Sequence, residues 1–199
     1  MKYKLTKKYI ENLGVKLFQI QAVTAFSCIS KGELGGYIQS EQCLSQSGNA
    51  WVSGNARVYG NAQVYGNAQV YGDAQVYGDA QVYGHALVSS HARVSDDALV
   101  YGHALVSGHA QVSGDARVSG RDAIFWASRV GSENGTLTVS SGKDGLVVTR
   151  GCFTGTKEEF LAKSAKVHDE KIQREYRLLI EVAESRIKHH KAPEPTTAD

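Results

Sequence analysis

Hydrophobic and polar residues alternate with a six-residue period through the middle of the chain. Most units between residues 49 and 120 read Asn, Asp or His, then Ala, a variable residue, Val, Tyr or Ser, and Gly. Valine recurs at positions 52, 58, 64, 70, 76, 82, 88, 94, 100, 106, 112 and 118, and alanine precedes each valine by two. A short fixed period is typical of a solenoid, in which each repeat packs against its neighbours.

One unit of the repeat shows how the chain would fold. In a strand Ala62 and Val64 point to one side and Gln63 to the other, so small and aliphatic residues face inward. Gly66 follows at a corner, since glycine tolerates the positive φ that a sharp bend requires. Three units make a coil of 18 residues, and paired coils lie ~4.8 Å apart. We therefore predict a mainly β protein with a parallel β-helix of about four regular coils over residues 49–125.

The repeat resembles the hexapeptide repeat of left-handed parallel β-helices, which form three-sided prisms. That resemblance covers twelve consecutive units and implies a short left-handed, three-sided helix. A right-handed helix of the bactofilin kind is the alternative, because it also uses short parallel strands. Bactofilins repeat less regularly, so we favour the left-handed form.

The segments that flank the repeat predict caps. Residues 1–48 form the N-terminal cap, with a strand over residues 17–26 and a turn over residues 32–36. Ile38 and Leu44 fit the first, irregular rungs of the helix. Caps are expected because the terminal coil of a solenoid otherwise presents an unpaired edge.

Residues 126–190 predict a C-terminal module. The segments 136–140 and 146–150 flank a glycine-bounded turn and indicate a β-hairpin. Thr156 and Glu159 form a capping-box pattern that opens a helix to about His168. Helical spacing from Ile172 predicts a second amphipathic helix to about His190. Residues 191–199 contain both prolines and predict a disordered tail.

Composition narrows the class of protein. The formal net charge of +2 is too small for a basic nucleic-acid footprint, so we expect no nucleic-acid partner. The three cysteines lack metal-ligand spacing, which suits a reducing compartment. No apolar stretch approaches the roughly 20 residues of a membrane span, and the first residues lack the apolar core of a signal peptide. We predict a cytoplasmic protein without a membrane partner.

Two further segments resemble proteins of phage and prophage origin. Residues 18–23, 32–36, 44–45 and 49–52 resemble the opening of phage-type hexapeptide proteins, including the enterobacterial YdcK-like group. Residues 144–156 (Gly-Cys-Phe-Thr-Gly-Thr at their end) resemble a small module of many phage proteins. The resemblance implies phage origin and a three-sided β-helix. We therefore predict action in an infected bacterial host. The candidate surface residues of the C-terminal module are Cys152, Phe153, Thr156, His168 and Tyr176.

The chemistry-bearing residues argue against catalysis. Many left-handed β-helix enzymes are acyltransferases that use CoA, with a histidine base and a loop extruded from a coil. Residues 49–120 contain no such insertion, and His85, His91, His103 and His109 all occupy repeated corner positions. Cys152 is a possible nucleophile, although a lone cysteine in this setting is more often a small buried residue. We predict no catalytic residue, no metal and no cofactor.

Sorting the outward residues by face predicts a self-association surface. Positions 18 apart should stack into three faces. The first face is largely polar and carries Arg57, Gln75, Arg93 and Gln111 beside Tyr59 and Tyr77. The second face carries Gln63, Gln81, Leu99 and Arg117 beside Tyr65, Tyr83 and Tyr101. The third face carries Gln69, Leu87 and Leu105 beside Tyr71, Ser89 and Ser107. Exposed apolar patches usually mark interfaces; alternatively, the ladder stabilises the helix by stacking between coils. The candidate trimer-interface residues are Tyr65, Tyr71, Tyr83, Leu87, Leu99, Tyr101 and Leu105.

The corner between these two faces carries His85 and His103, which a homotrimer would place near its axis as candidate ligand residues.

The functional hypothesis is a non-catalytic phage accessory protein that binds or sequesters a host molecule, either a small signalling ligand or a defence protein. The alternatives are a CoA-dependent acyltransferase and a structural component of a virion or filament.

Overall fold

The computed structural model of the chain describes residues 1–187. It contains nineteen strands, one short 3-10 helix and two α-helices within that range. The N-terminal strands are β1 (Tyr3–Asn12), β2 (Val15–Ala22) and β3 (Leu34–Ile38), followed by the 3-10 helix Glu41–Cys43. The repeat contributes β4 (Trp51–Val52), β5 (Arg57–Val58), β6 (Gln63–Val64), β7 (Gln69–Val70), β8 (Gln75–Val76), β9 (Gln81–Val82), β10 (Leu87–Val88), β11 (Arg93–Val94), β12 (Leu99–Val100), β13 (Leu105–Val106), β14 (Gln111–Val112) and β15 (Arg117–Val118). The C-terminal elements are β16 (Ile124–Val130), β17 (Gly135–Ser141), β18 (Leu146–Arg150), β19 (Phe153–Thr156), α1 (Lys157–Val167) and α2 (Glu170–Arg186).

The repeat folds as a parallel β-solenoid, as the periodicity predicts. Each strand pairs with the strand 18 residues further along, so that Val64 lies beside Val82 and Val70 beside Val88. The strands form three parallel stacks, and the longest contains β3, β5, β8, β11 and β14. The solenoid therefore has about five turns, one more than the regular repeats alone predict. The handedness and the triangular cross-section stay predictions.

Alanine and valine fill the solenoid core. Every alanine and valine of the regular repeats between residues 50 and 118 is at most 1% exposed. Glycine stands at most corners with φ between +62° and +72°. A Cβ on Gly66 would lie 3.1 Å from the Gly84 nitrogen of the next coil, so both the dihedral and the stacking distance favour glycine. Ser90 and Asp96 occupy two such corners at φ +59° and +56°.

The N-terminal cap extends one sheet of the solenoid. Its order is β1-β2-β3-β5-β8-β11-β14, with β1 to β3 antiparallel and β3 parallel to β5. The rungs predicted at Ile38 and Leu44 are confirmed, since Ile38 pairs with Val58 and Leu44 bridges to Val64. Strand β1 was not expected from the sequence pattern.

The turn predicted over residues 32–36 is wrong in its second half, because Gly35 and Gly36 lie inside β3. A Cβ on Gly35 would lie 2.5 Å from the Ile20 side chain, and one on Gly36 would lie 2.7 Å from the Ala56 carbonyl oxygen. These glycines are therefore required by close packing of the cap against the first coil, not by a bend.

Lys2 and Tyr3 close the lower end of the solenoid. The Lys2 ammonium donates a 2.8 Å hydrogen bond to the Ala50 carbonyl, and the Tyr3 hydroxyl donates one of 2.6 Å to the Leu44 carbonyl. The Phe26 ring lies 5.4 Å from the Trp51 ring, centroid to centroid. Lys2 is 6% exposed, and this burial lowers the pKa of its ammonium to about 8. The cap thus closes the open end of the core with a polar plug in which Lys2 and Tyr3 are hydrogen-bonded, whereas the buried Trp51 indole nitrogen has no partner among residues 1–187.

The C-terminal module is a four-stranded antiparallel sheet, β16-β17-β18-β19, followed by the two helices. The predicted hairpin is confirmed as β17 and β18, but β16 and β19 widen it to four strands. Strand β16 crosses the boundary expected between residues 125 and 126.

The helices of the module follow their capping signals. Thr156 and Glu159 form the predicted capping box of α1, and Asp169 caps α2. Helix α2 ends at Arg186, and Ile187 is its C-cap in an extended conformation, so the end predicted near His190 is about four residues too late. The expected tail over residues 191–199 lies outside the described residues. None of the described helices is long and apolar enough to cross a membrane.

This sheet covers the upper end of the solenoid. The Ser141 nitrogen donates a 2.9 Å hydrogen bond to the Ala123 carbonyl, and the Gln111 nitrogen donates one of 2.9 Å to the Thr138 hydroxyl. Ser113 shares a hydrogen bond of 2.8 Å with Thr154, hydroxyl to hydroxyl. Strand backbone at the last coil is thus partnered by the module instead of by a further coil.

Candidate functional site

A ladder of tyrosines stands on the second face of the solenoid. The rings of Tyr65 and Tyr83 are 4.9 Å apart and nearly parallel, and those of Tyr83 and Tyr101 are 5.2 Å apart. The Tyr65 hydroxyl donates a 3.0 Å hydrogen bond to the Gln81 side-chain oxygen. Burial within the ladder raises the pKa of Tyr65 and of Tyr83. The stacking predicted from the 18-residue spacing is therefore present.

The outward leucines adjoin this ladder. Leu87 and Leu105 are paired neighbours on the third face, and Leu99 lies on the second face between Gln81 and Arg117. All three leucines are half-buried, and Tyr71 is 40% exposed. Of the seven predicted interface residues, Tyr101 needs correction, because it is already 5% exposed in the single chain and has little surface left to cover.

Two stacked histidine pairs border the third face. The rings of His85 and His103 are 5.1 Å apart at one edge, and those of His91 and His109 are 5.0 Å apart at the other. All four side chains are exposed. The His91 Nδ1 lies 3.8 Å from a carboxylate oxygen of Asp73. Within residues 1–187 no three His, Cys, Asp or Glu side chains are grouped so that they could hold a metal ion.

The five candidate residues of the C-terminal module do not form one surface. Tyr176 is 1% exposed and packs on Phe160 in the module core, which excludes it from a surface. Phe153 is half-buried against the same ring. Thr156 caps α1, and His168 ends that helix beside the Tyr176 ring at 5.6 Å. Phe153 and Tyr176 pack against Phe160, and Thr156 and His168 stand at the two ends of α1. These four residues therefore have structural roles in the module.

Cys152 differs from the expected small buried residue. It is exposed at the turn between β18 and β19, since Gly151 at φ +61° turns the chain outward there. It lines a notch of about 230 Å³ that also contains Arg93 and Tyr77. The notch lies where the module meets the first face.

A larger cavity, of about 640 Å³, was not identified from the sequence. The turn after β17, the start of α1, the end of α2 and the last coil enclose it together. Leu146, Val147 and Ile187 supply apolar lining, while the charged lining residues are Asp115, Lys143, Asp144, Lys157, Glu158, Glu159 and Glu184. Lys157 is paired with Glu184, which raises the pKa of the lysine. No local motif marks the cavity because its lining comes from four separate segments.

A family model described as the YdcK beta solenoid repeat matches residues 50–66, 62–78, 92–108 and 110–121. The repeats of this chain are therefore similar to the YdcK solenoid repeat. These matches stop before the C-terminal sheet and begin after the N-terminal cap, so the phage resemblance of those segments stays a prediction. No curated protein matches the chain.

Proposed function

We propose that this YdcK-type repeat protein is a non-catalytic binding scaffold, built on a left-handed three-sided solenoid and encoded by a phage. It would act in the cytoplasm of the infected bacterium. The observation that carries the proposal is that the outward leucines are confined to two adjacent faces, one of which also has the three-tyrosine ladder. At corresponding positions the first face has Arg57, Gln75, Arg93 and Gln111, and its tyrosines form a single stacked pair. Outward leucines on two adjacent faces suit self-association.

The proposed assembly is a homotrimer with its solenoid axes parallel. Its second and third faces are covered, and the corner with His85 and His103 points to the threefold axis. The opposite corner supports this orientation, because Asp79, Asp97 and Asp115 are stacked there and all exposed. Three stacked carboxylates are acceptable where water solvates them. Around a threefold axis they would repel the carboxylates of the other two subunits. The histidines would line a wet channel or bind an anion or metal at the axis.

The bound molecule is a host component, and a trimer would present three copies of each site to it. The cavity beside α1 is large enough for a small signalling ligand, because ligand pockets commonly have about 300–1,000 Å³. A host defence protein would instead bind across a module or between subunits. Inhibition of a host defence is the form of activity that we favour.

Sedimentation velocity tests the trimer. His85→Asp/His103→Asp would bring six carboxylates to the axis, so wild type should run as a trimer and this variant as a monomer at neutral pH. The matched control is His91→Asp/His109→Asp, which alters the other stacked pair and should leave the trimer intact. If wild type is monomeric, or if both variants remain trimers of equal stability, the proposed axis is wrong.

Calorimetry with CoA and with a panel of nucleotides tests the binding function. The proposal expects a nucleotide-class ligand or a host protein to bind, and no tight binding of CoA. Tight CoA binding would instead favour the acyltransferase. Open-ended assemblies in electron micrographs would favour a virion or filament component.

A further inference from the structure

We propose that the outer edge of β1, from Leu5 to Glu11, docks an extended acidic segment of a partner protein as an added antiparallel or parallel strand. The edge lies in the N-terminal cap, away from the faces assigned to the trimer. It therefore does not depend on the proposed oligomer. Three features point to such a partner: the backbone of β1, the Gln46 side chain and the charge of the first sixteen residues.

Strand β1 is the last strand of the seven-stranded sheet, so one of its sides has no strand beside it among residues 1–187. The free sides of edge strands present alternate N–H and C=O groups that can pair with another chain. The edge is long, because β1 has ten residues where a solenoid strand has two. Between Leu5 and Tyr9 the strand has two residues more than β2 opposite it. Residues 5–11 would therefore pair with about five residues of an extended segment, or roughly 17 Å of chain.

The chain already binds one amide to this edge. The backbone nitrogens of Lys2 and Tyr3 donate to the Gln46 side-chain oxygen over 2.8 and 3.3 Å. The Gln46 side-chain nitrogen donates in turn to the Tyr3 carbonyl over 3.1 Å. The Gln46 amide thus occupies the place of a peptide group in a further strand. An incoming strand would continue this pairing from Leu5 onward.

The edge beyond Tyr3 has no comparable partner in the described part of the chain. The hydrogen bond there from the Lys8 nitrogen, 3.2 Å long, goes to the hydroxyl of Thr6 in the same strand. The pairing of β1 with β2 is irregular between Leu5 and Tyr9, which bends the edge without covering it.

The charge of this hairpin selects the partner. Residues 1–16 contain five lysines and one glutamate, a side-chain charge of +4, whereas the whole chain has a formal charge of +2. Lys4, Lys7 and Lys8 are exposed, and none of them forms an ion pair with a residue in the range 1–187. Lysines on an edge strand discourage pairing with a second copy, because like charges would face each other. A strand with alternating acidic residues meets complementary charge instead.

Fluorescence anisotropy with synthetic peptides tests this edge on the full-length protein. The probe is a labelled seven-residue peptide of alternating glutamate and valine, and lysine replaces glutamate in its control. Two further peptides keep the acidic sequence but carry N-methyl groups on odd or on even amides. Only one of these two sets can donate hydrogen bonds to β1. We expect one methylated peptide to bind about tenfold more weakly and the other to bind like the parent.

Protein variants test the charge. Lys4→Glu/Lys8→Glu should weaken binding of the acidic peptide about tenfold, while Lys166→Glu/Lys171→Glu, which changes two exposed helix lysines, should not. If the first variant does not fold by circular dichroism, the methylated peptides on wild type still decide the outcome.

Three results would overturn the proposal. They are no binding of the acidic peptide, equal binding of both methylated peptides, and tighter binding of single-stranded DNA than of the acidic peptide at the same salt. The first would leave the lysines as protection against aggregation, and the last would assign the hairpin to nucleic acid.

Discussion

The solenoid core between Ala56 and Val118 consists of alanine and valine alone, whereas the core of the C-terminal module combines aliphatic and aromatic side chains of several sizes. In the solenoid each coil repeats the environment of the coil below it. In the module Phe160 meets Tyr176 edge to face at a centroid distance of 5.0 Å, an arrangement without a second copy. The two regions therefore specify their folds differently. Repetition of one coil environment specifies the solenoid, whereas complementary side-chain shapes specify the C-terminal module.

This difference determines how far the destabilising effect of a substitution should extend from the changed residue. A coil contacts only its neighbours, so the stability of a solenoid is approximately a sum of repeat and interface contributions. A closely packed mixed core responds to one changed atom through its particular neighbours. Four substitutions or conditions test the comparison.

The largest effect should come from a charge in the solenoid core. Val82 is fully buried between coils, so Val82→Asp would place an unpaired carboxylate in a dry environment. We expect a loss of more than about 5 kcal/mol of unfolding free energy and no soluble folded protein. The neighbouring residue Gln81 points outward, so the control variant Gln81→Asp should remain folded. A folded, soluble Val82→Asp variant by circular dichroism would contradict the repetitive core.

A smaller but more local effect should come from Gly131 in the module. Its φ is +70°, and an added Cβ would overlap the Tyr176 hydroxyl. Gly131→Ala should cost about 2–4 kcal/mol because the aromatic packing under α2 must shift. Gly151→Ala is the matched control, since it has φ +61° but no atom within 4 Å of the added Cβ, and should cost about 1 kcal/mol.

Hydrogen exchange would locate the damage caused by Gly131→Ala. Amides of α1, α2 and β16 should lose protection while those of β6 to β12 keep it. Loss of protection in both regions together would show that the module and the solenoid unfold as one unit.

The pH dependence of stability tests the plug at the lower end. Burial lowers the pKa of Lys2 to about 8, below its usual value of 10.5, so the unfolded chain binds more protons between those two values. Stability should therefore rise as the pH increases from 7 to 9.5, by about 2 kcal/mol, with most of the rise above pH 8. Above pH 10 the trend should reverse, because Tyr3, Tyr65 and Tyr83 have raised pKa values and hold their protons longer when folded.

Urea titrations at several pH values measure this effect. Lys2→Met removes the titrating group and should flatten the rise between pH 7 and 9.5. A rise of the same size in Lys2→Met would assign it to another group.

The smallest effect should distinguish two imperfect corners of the solenoid. Ser90→Gly removes a non-glycine residue from φ +59°, and should stabilise the protein by about 1 kcal/mol. Asp96→Gly relieves the same strain but also removes a carboxylate that accepts a 3.2 Å hydrogen bond from the Gly114 nitrogen, so its gain should be smaller. Thermal melts of the two variants compare them directly, and equal gains would mean that this hydrogen bond contributes nothing.

The solenoid could be predicted from the sequence, because its strands pair with strands a fixed 18 positions away. The alternation of Ala62, Gln63 and Val64 therefore predicts that the alanine and the valine are buried and that the glutamine is exposed. The spacing of Tyr65 and Tyr83 likewise predicts their stacking. Helix α1 could also be predicted from the sequence, since its capping box is a local hydrogen-bond pattern between Thr156 and Glu159.

Features that join distant segments could not be predicted from the sequence and became visible in the folded chain. Strand β1 has no strong alternation of its own, and it is held by pairing with β2 and by Gln46, some forty residues away. Gly35 looks like a turn residue until the Ile20 and Trp51 side chains approach it. The cavity beside α1 needs four segments to meet, and the burial of Tyr176 needs Phe160 and Gly131 beside it. Such contacts have no fixed sequence spacing, so no periodic pattern in the sequence predicts them.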